Sequence, residues 1–87
     1  MPENPFRALR KRLGLGVRDM ALAVNVSNYI IYSAEGGRDE RPKRYARALE
    51  ALGLVKADEL LADYAAWRAE LQAAKREELK KLAKELV

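Results

Sequence analysis

The chain has 87 residues, no cysteine, no histidine and a formal net charge of +4. That length fits one small domain with an appended element, and the composition excludes disulfides, thiolate chemistry, a histidine general base and the usual zinc ligands. No apolar run approaches the ~18 residues of a membrane helix, and "MPENPF" does not read as a signal peptide. The expectation is a cytoplasmic protein with no cofactor, no metal, no membrane association, no evident small-molecule ligand and no enzyme activity.

Charge is uneven along the chain. Residues 1–54 hold ten basic side chains against six acidic ones, whereas residues 55–87 hold seven of each. An excess confined to one unit suggests a polyanionic partner for that unit.

Glycine and proline punctuate the elements clearly. Pro5 suits a first helical turn, and Phe6, Leu9 and Leu13 follow at helical spacing until Gly14. After the connector LGLG, residues 13–16, a second short helix carries Val17, Met20, Ala21 and Val24 on one face. Asn25 closes it, being one of the few non-glycine residues that accept a left-handed turn. Ser27 reads as an N-cap for a third segment that ends at Gly36-Gly37. RDERPKR is a polar loop, and Pro42 opens a helix from Lys43 to Leu52, stopped by Gly53. From Ala57 to Leu86 there is no Gly or Pro, and the composition is mainly Ala, Leu, Glu, Lys and Arg, the strongest helix formers. The fold class expected is all-α. It comprises a compact four- to five-helix helix-turn-helix domain over residues 1–56 and a long C-terminal helix over 57–87.

The third segment, NYIIYSAE after Ser27, is ambiguous by propensity, since Ile and Tyr favour strands. Wound as a helix over 27–35, Asn28, Tyr29, Tyr32 and Ser33 fall within an arc of about 140° and Ser27, Ile30, Ile31, Ala34 and Glu35 fall opposite. A strand mixes the two sets. The helix therefore wins, with Ile31 and Ala34 inward and a hydrogen-bonding face outward. Two helices joined by a short turn, the second presenting polar groups, describe a helix-turn-helix unit, whose second helix enters the major groove of DNA. Asn can bond adenine in bidentate fashion there.

The stretch LRKRLGLGVRDMALAVNVSNYIIYSAEGGRDERPKR resembles the DNA-binding domain of the Cro/CI-type (Xre-like) phage repressors, especially those of lambdoid phages. The resemblance spans residues 6 to about 61. It is carried by Leu13-Gly14-Leu15, Ala21, Val26-Ser27, Ile31, Glu35-x-Gly37, Arg41-Pro42-Lys43 and Ala51-Leu52-Gly53-Leu54. It departs from the family pattern at Val17, Asn25, Ala34 and the acidic pair Asp39-Glu40. The resemblance implies an Arg10–Glu35 ion pair that turns the Arg10 guanidinium toward phosphate. It implies base contacts from Asn28, Tyr29 and Ser33, and backbone contacts from Ser27, Tyr32, Arg38, Arg41, Lys43 and Arg44.

In the last helix Leu60, Leu71 and Leu82 recur every 11 residues, with Tyr64, Trp67 and Ala74 on the same side. The expectation is that Leu60, Leu61 and Tyr64 pack on the domain while Trp67, Leu71 and Leu82 meet a second chain. The other arrangement is a helix docked on its own domain. The function expected is a sequence-specific regulator of transcription, a repressor from a phage or plasmid setting, binding double-stranded DNA as a homodimer. The alternative is a protein-binding helix-turn-helix module: an antitoxin, or a factor acting on polymerase or packaging machinery.

Overall fold

The computed structural model of the protein describes residues 2–86, and these form five α-helices without a strand. They are α1 (Pro5–Arg12), α2 (Val17–Val24), α3 (Asn28–Glu35), α4 (Lys43–Ala51) and α5 (Ala57–Glu85). The all-α class and the five-helix order thus agree with the pattern of breakers in the sequence. The segment after Ser27 is helical, not extended, and Ser27 caps it by accepting from Ile30 N–H.

All four short helices close in the same way. An N–H five residues on returns to a carbonyl of the last turn: Leu15 to Arg10, Val26 to Ala21, Arg38 to Ser33 and Leu54 to Leu49. This closure needs a residue in the left-handed region just past the helix. At the end of α2 that residue is Asn25, at φ 55° and ψ 49°, the conformation its side chain tolerates best after glycine.

Phe6, Met20, Ile31, Tyr45, Leu49 and Tyr64 fill the centre and are essentially inaccessible. The Phe6 ring stacks on Tyr45 with centroids 4.9 Å apart and meets the edge of Tyr64 at 5.3 Å. Aromatic pairs in these arrangements add to simple burial. The Tyr45 hydroxyl is buried without a hydrogen-bond partner, and burial drives its pKa far above the usual value, so it stays neutral.

Asn4 ties the chain start to α3. Its side-chain oxygen accepts from Phe6 and Arg7 N–H, capping α1, while its amide donates to the carbonyls of Ala34 at 2.8 Å and Glu35 at 3.1 Å. The same buried side chain therefore satisfies orphan groups at the start of one helix and the end of another.

The protein measures 51 × 24 × 20 Å, and the long dimension belongs to α5. Ala57, Leu60, Leu61 and Tyr64 are buried, and Trp67, Arg68 and Leu71 are half-buried. Among the described residues no helix is long and apolar enough to cross a membrane.

Candidate nucleic-acid interface

Residues 25–27 join α2 to α3, a turn closed by Asn25 at one end and the Ser27 cap at the other. Helix α3 buries Ile31 and Ala34 completely, as its pattern requires. Its opposite side is exposed: Asn28 lies open, and Tyr29 and Tyr32 are 63% and 60% accessible. Ser27 is also exposed, although its oxygen is partly engaged by the cap.

Ser33 does not share that exposure. It is 7% accessible, beside Ala34 in the packed side of α3, and its Oγ has no hydrogen-bond partner. The cause lies beyond the helix. The chain past Gly37 folds back over this residue, so that the Arg38 and Asp39 amides both donate to the Ser33 carbonyl, at 2.9 and 3.2 Å. A wheel drawn for an isolated helix leaves that loop out. The outward polar face is therefore Asn28, Tyr29 and Tyr32, with Ser33 beneath it.

Arg38 returns beside Tyr29. Together with Tyr32, Ser33 and Gly36 they line a cleft of ≈ 290 Å³ at the C-terminal end of α3. The Ser33 hydroxyl and then the Arg38 guanidinium favour the phenolate and lower the Tyr29 pKa, although Ser33 makes no hydrogen bond of normal geometry.

Arg10 and Glu35 form the expected pair. Arg10 Nε and Nη2 donate to the two carboxylate oxygens of Glu35, at 2.7 and 2.8 Å, and Nη1 donates to the Leu15 carbonyl at 2.9 Å. Both side chains are largely covered, 15% and 10% accessible. The fork joins α1, the α1–α2 connector and α3, and the hydrogen bonds to Glu35 raise the Arg10 pKa further. With three of its donors spent on its own chain, Arg10 holds the frame more than it reaches outward.

The remaining cations are differently placed. Arg38, Arg41, Lys43 and Arg44 are exposed and make no ion pair among the described residues. Their loop is held from below by α5. The Tyr64 hydroxyl donates to the Asp39 carbonyl, and Arg68 Nε donates to the Gly37 carbonyl at 2.9 Å. Gly37 has φ +77°, and a Cβ there would stand 2.8 Å from Leu71 Cδ2 and 3.1 Å from the Trp67 ring. Glycine is needed twice over, for conformation and for space.

Those contacts also relocate two residues expected at a second chain. Trp67 and Leu71 cover Gly37 of their own domain and are half-buried there; of the three residues expected to meet a partner, only Leu82 stands free, at 55% exposure. The stripe was read on the helix alone, and the loop rises further along α5 than the spacing could indicate. Tyr64, Arg68 and Asn4, none of them assigned a site role by sequence, are what hold the exposed face in position. Comparison with known protein families, with curated proteins and with solved structures finds no match for this chain.

Proposed function

We propose that the protein is a sequence-specific DNA-binding regulator of transcription that presents α3 to the major groove as a homodimer. The observation that carries this reading is the outward face of α3. Asn28, Tyr29 and Tyr32 stand exposed at the start and middle of the helix, on a frame locked by the Arg10–Glu35 fork. An exposed Asn in the first turn of such a helix can read adenine, and a phenol supplies a ring for a thymine methyl and a hydroxyl for phosphate. Arg38, Arg41, Lys43 and Arg44 are open and unpaired along the adjoining loop and helix start, as phosphate contacts require.

One feature favours a second reading. Helix α3 carries no basic residue and two exposed tyrosines, and aromatics are enriched where proteins meet proteins. In that reading the same face binds a protein partner.

Selection from a random duplex pool at moderate salt separates the two. DNA reading predicts an enriched inverted repeat. Tyr29→Ala then relaxes its sequence, while Arg44→Ala weakens all sequences alike and lowers the log-affinity versus log-salt slope by about one unit. No enriched sequence, or equal retention by both variants, favours the protein partner.

A further inference from the structure

From Gln72 to Leu86 all 15 residues of the last helix and its cap are exposed, among them Leu79 at 65%, Leu82 at 55% and Leu86 at 87%. The nearer half of α5 has the converse feature. Ala62, Ala65 and Ala69, with the buried Leu61 beneath, floor a groove of ≈ 800 Å³ whose α5 side is completed by Asp58, Arg68 and Gln72 and whose far side is Glu40, Arg41 and Lys43. We propose that these are the two halves of one interface. In it α5 pairs antiparallel with α5 of a second copy, and each copy lays Leu79, Leu82 and Leu86 along the alanine-floored groove of the other.

The register supports this in a way that neither half does alone. Positions 61, 65, 68, 72, 75, 79, 82 and 86 advance by alternating steps of four and three, the seam of a coiled coil. Reversed, the series falls on itself: 61 meets 86, 65 meets 82, 68 meets 79 and 72 meets 75. The end layers, 61 with 86 and 65 with 82, are then apolar; Leu79 lies along the stem of Arg68, whose Nε stays on the Gly37 carbonyl; and Gln72 with Lys75 sits at the two-fold axis, where a polar layer fixes register. Sizes match as well, because Leu82 opposes Ala65, and the flanking Ala62 and Ala69 let the backbones approach. A parallel pair would set Ala65 against Ala65 and leave the groove without knobs.

On a straight helix the exposed leucines are rotated by roughly 80° from the groove floor, and the supercoil must take up most of that. Left-handed supercoiling absorbs about 20° per heptad, or roughly 50° between residues 65 and 82. The domain-facing residues Leu60, Tyr64 and Leu71 lie roughly a third of a turn round α5 from the groove, so the two-fold axis leaves both domains on one side of the helix pair. Their docking points, near residues 62 and 85 of one helix, are then roughly 35 Å apart, close to one turn of duplex DNA. That last consequence rests on the DNA reading; the pairing does not.

The chain has no cysteine, so orientation can be tested by cross-linking. Ala65→Cys and Leu82→Cys are prepared separately, then oxidised alone and mixed. Antiparallel pairing predicts a disulfide-linked dimer in the mixture and little in either variant alone. Each variant cross-linking with itself would indicate a parallel pair and overturn the proposal, as would no cross-link in any sample. Leu82→Glu, outside the domain and unable to unfold it, should weaken self-association by tenfold or more in sedimentation. A wild-type chain that stays monomeric at high micromolar concentration with α5 folded would equally overturn it. Cross-linking in the mixture without any enriched duplex would leave this pairing standing and remove the DNA reading.

Discussion

The two halves of α5 are made of similar residues and live in different surroundings. Up to Leu71 the helix buries side chains in each turn and reaches the loop after α3 through Tyr64, Trp67, Arg68 and Leu71; from Gln72 to Leu86 every residue is exposed. Helix propensity is high throughout, so it accounts for the continuity of the helix and for nothing else about it. What separates the halves is which turns have a neighbour. An isolated helix of about 15 residues is marginal in water, so the far half draws its order from its junction with the packed half and, in our proposal, from a second copy.

The sharpest way to break this contrast is by truncation in each half. Tyr64→Ala removes a buried ring and the hydrogen bond to the Asp39 carbonyl, and should cost about 3–5 kcal/mol. Leu82→Ala should cost less than about 0.5 kcal/mol in the monomer. Denaturant unfolding at low protein concentration measures both, and comparable losses would mean that the far half packs on the domain after all. Gly37→Ala tests the clamp itself. The left-handed backbone alone costs roughly 1–2 kcal/mol, and Leu71 must also give way to the new Cβ, so a loss of about 2 kcal/mol is expected, with no counterpart for any single substitution beyond Gln72.

Arg68→Ala should cost about 1 kcal/mol by freeing the Gly37 carbonyl, against nothing measurable in the monomer for Lys75→Ala, whose pairing within its own chain is an exposed one with Glu78. The smallest effect is a titration. Beside the Ser33 hydroxyl, Arg38 lowers the Tyr29 pKa from the exposed side of the loop, so Arg38→Ala should move that phenol part of the way back up toward its usual value, read by NMR of labelled tyrosine. Because the folded pKa is depressed, the proton-linked part of any stabilisation by the Tyr29–Arg38 contact appears only as pH rises toward the phenol range and is lost as pH falls below it.

Much of this architecture was legible in the residues because local rules and packing agree. Gly14, Asn25, Gly37 and Gly53 end helices where closure needs a left-handed residue, and Ile31 with Ala34 separates cleanly from Asn28 with Tyr29. The Arg10–Glu35 pair came through the family resemblance and is present with both oxygens engaged. The failures are all non-local. Ser33 is buried by a loop that returns over its carbonyl, and Trp67 with Leu71 packs over Gly37, some 30 residues earlier in the chain. Half of Asn4's role was readable, since Asn before Pro5 is a good cap. Its other half, holding the carbonyls at the end of α3, joins positions about 30 residues apart and leaves no trace in local spacing.

The central claim, that the outward face of α3 meets DNA, has a built-in control in the four tyrosines. Tyr29 and Tyr32 are exposed on α3, whereas Tyr45 and Tyr64 are sealed in the core at 0% and 1% accessibility. Titrating a selected duplex into tyrosine-labelled protein should shift the Tyr29 and Tyr32 resonances and leave Tyr45 and Tyr64 where they were. A duplex that binds while Tyr29 and Tyr32 stay unmoved would contradict the account.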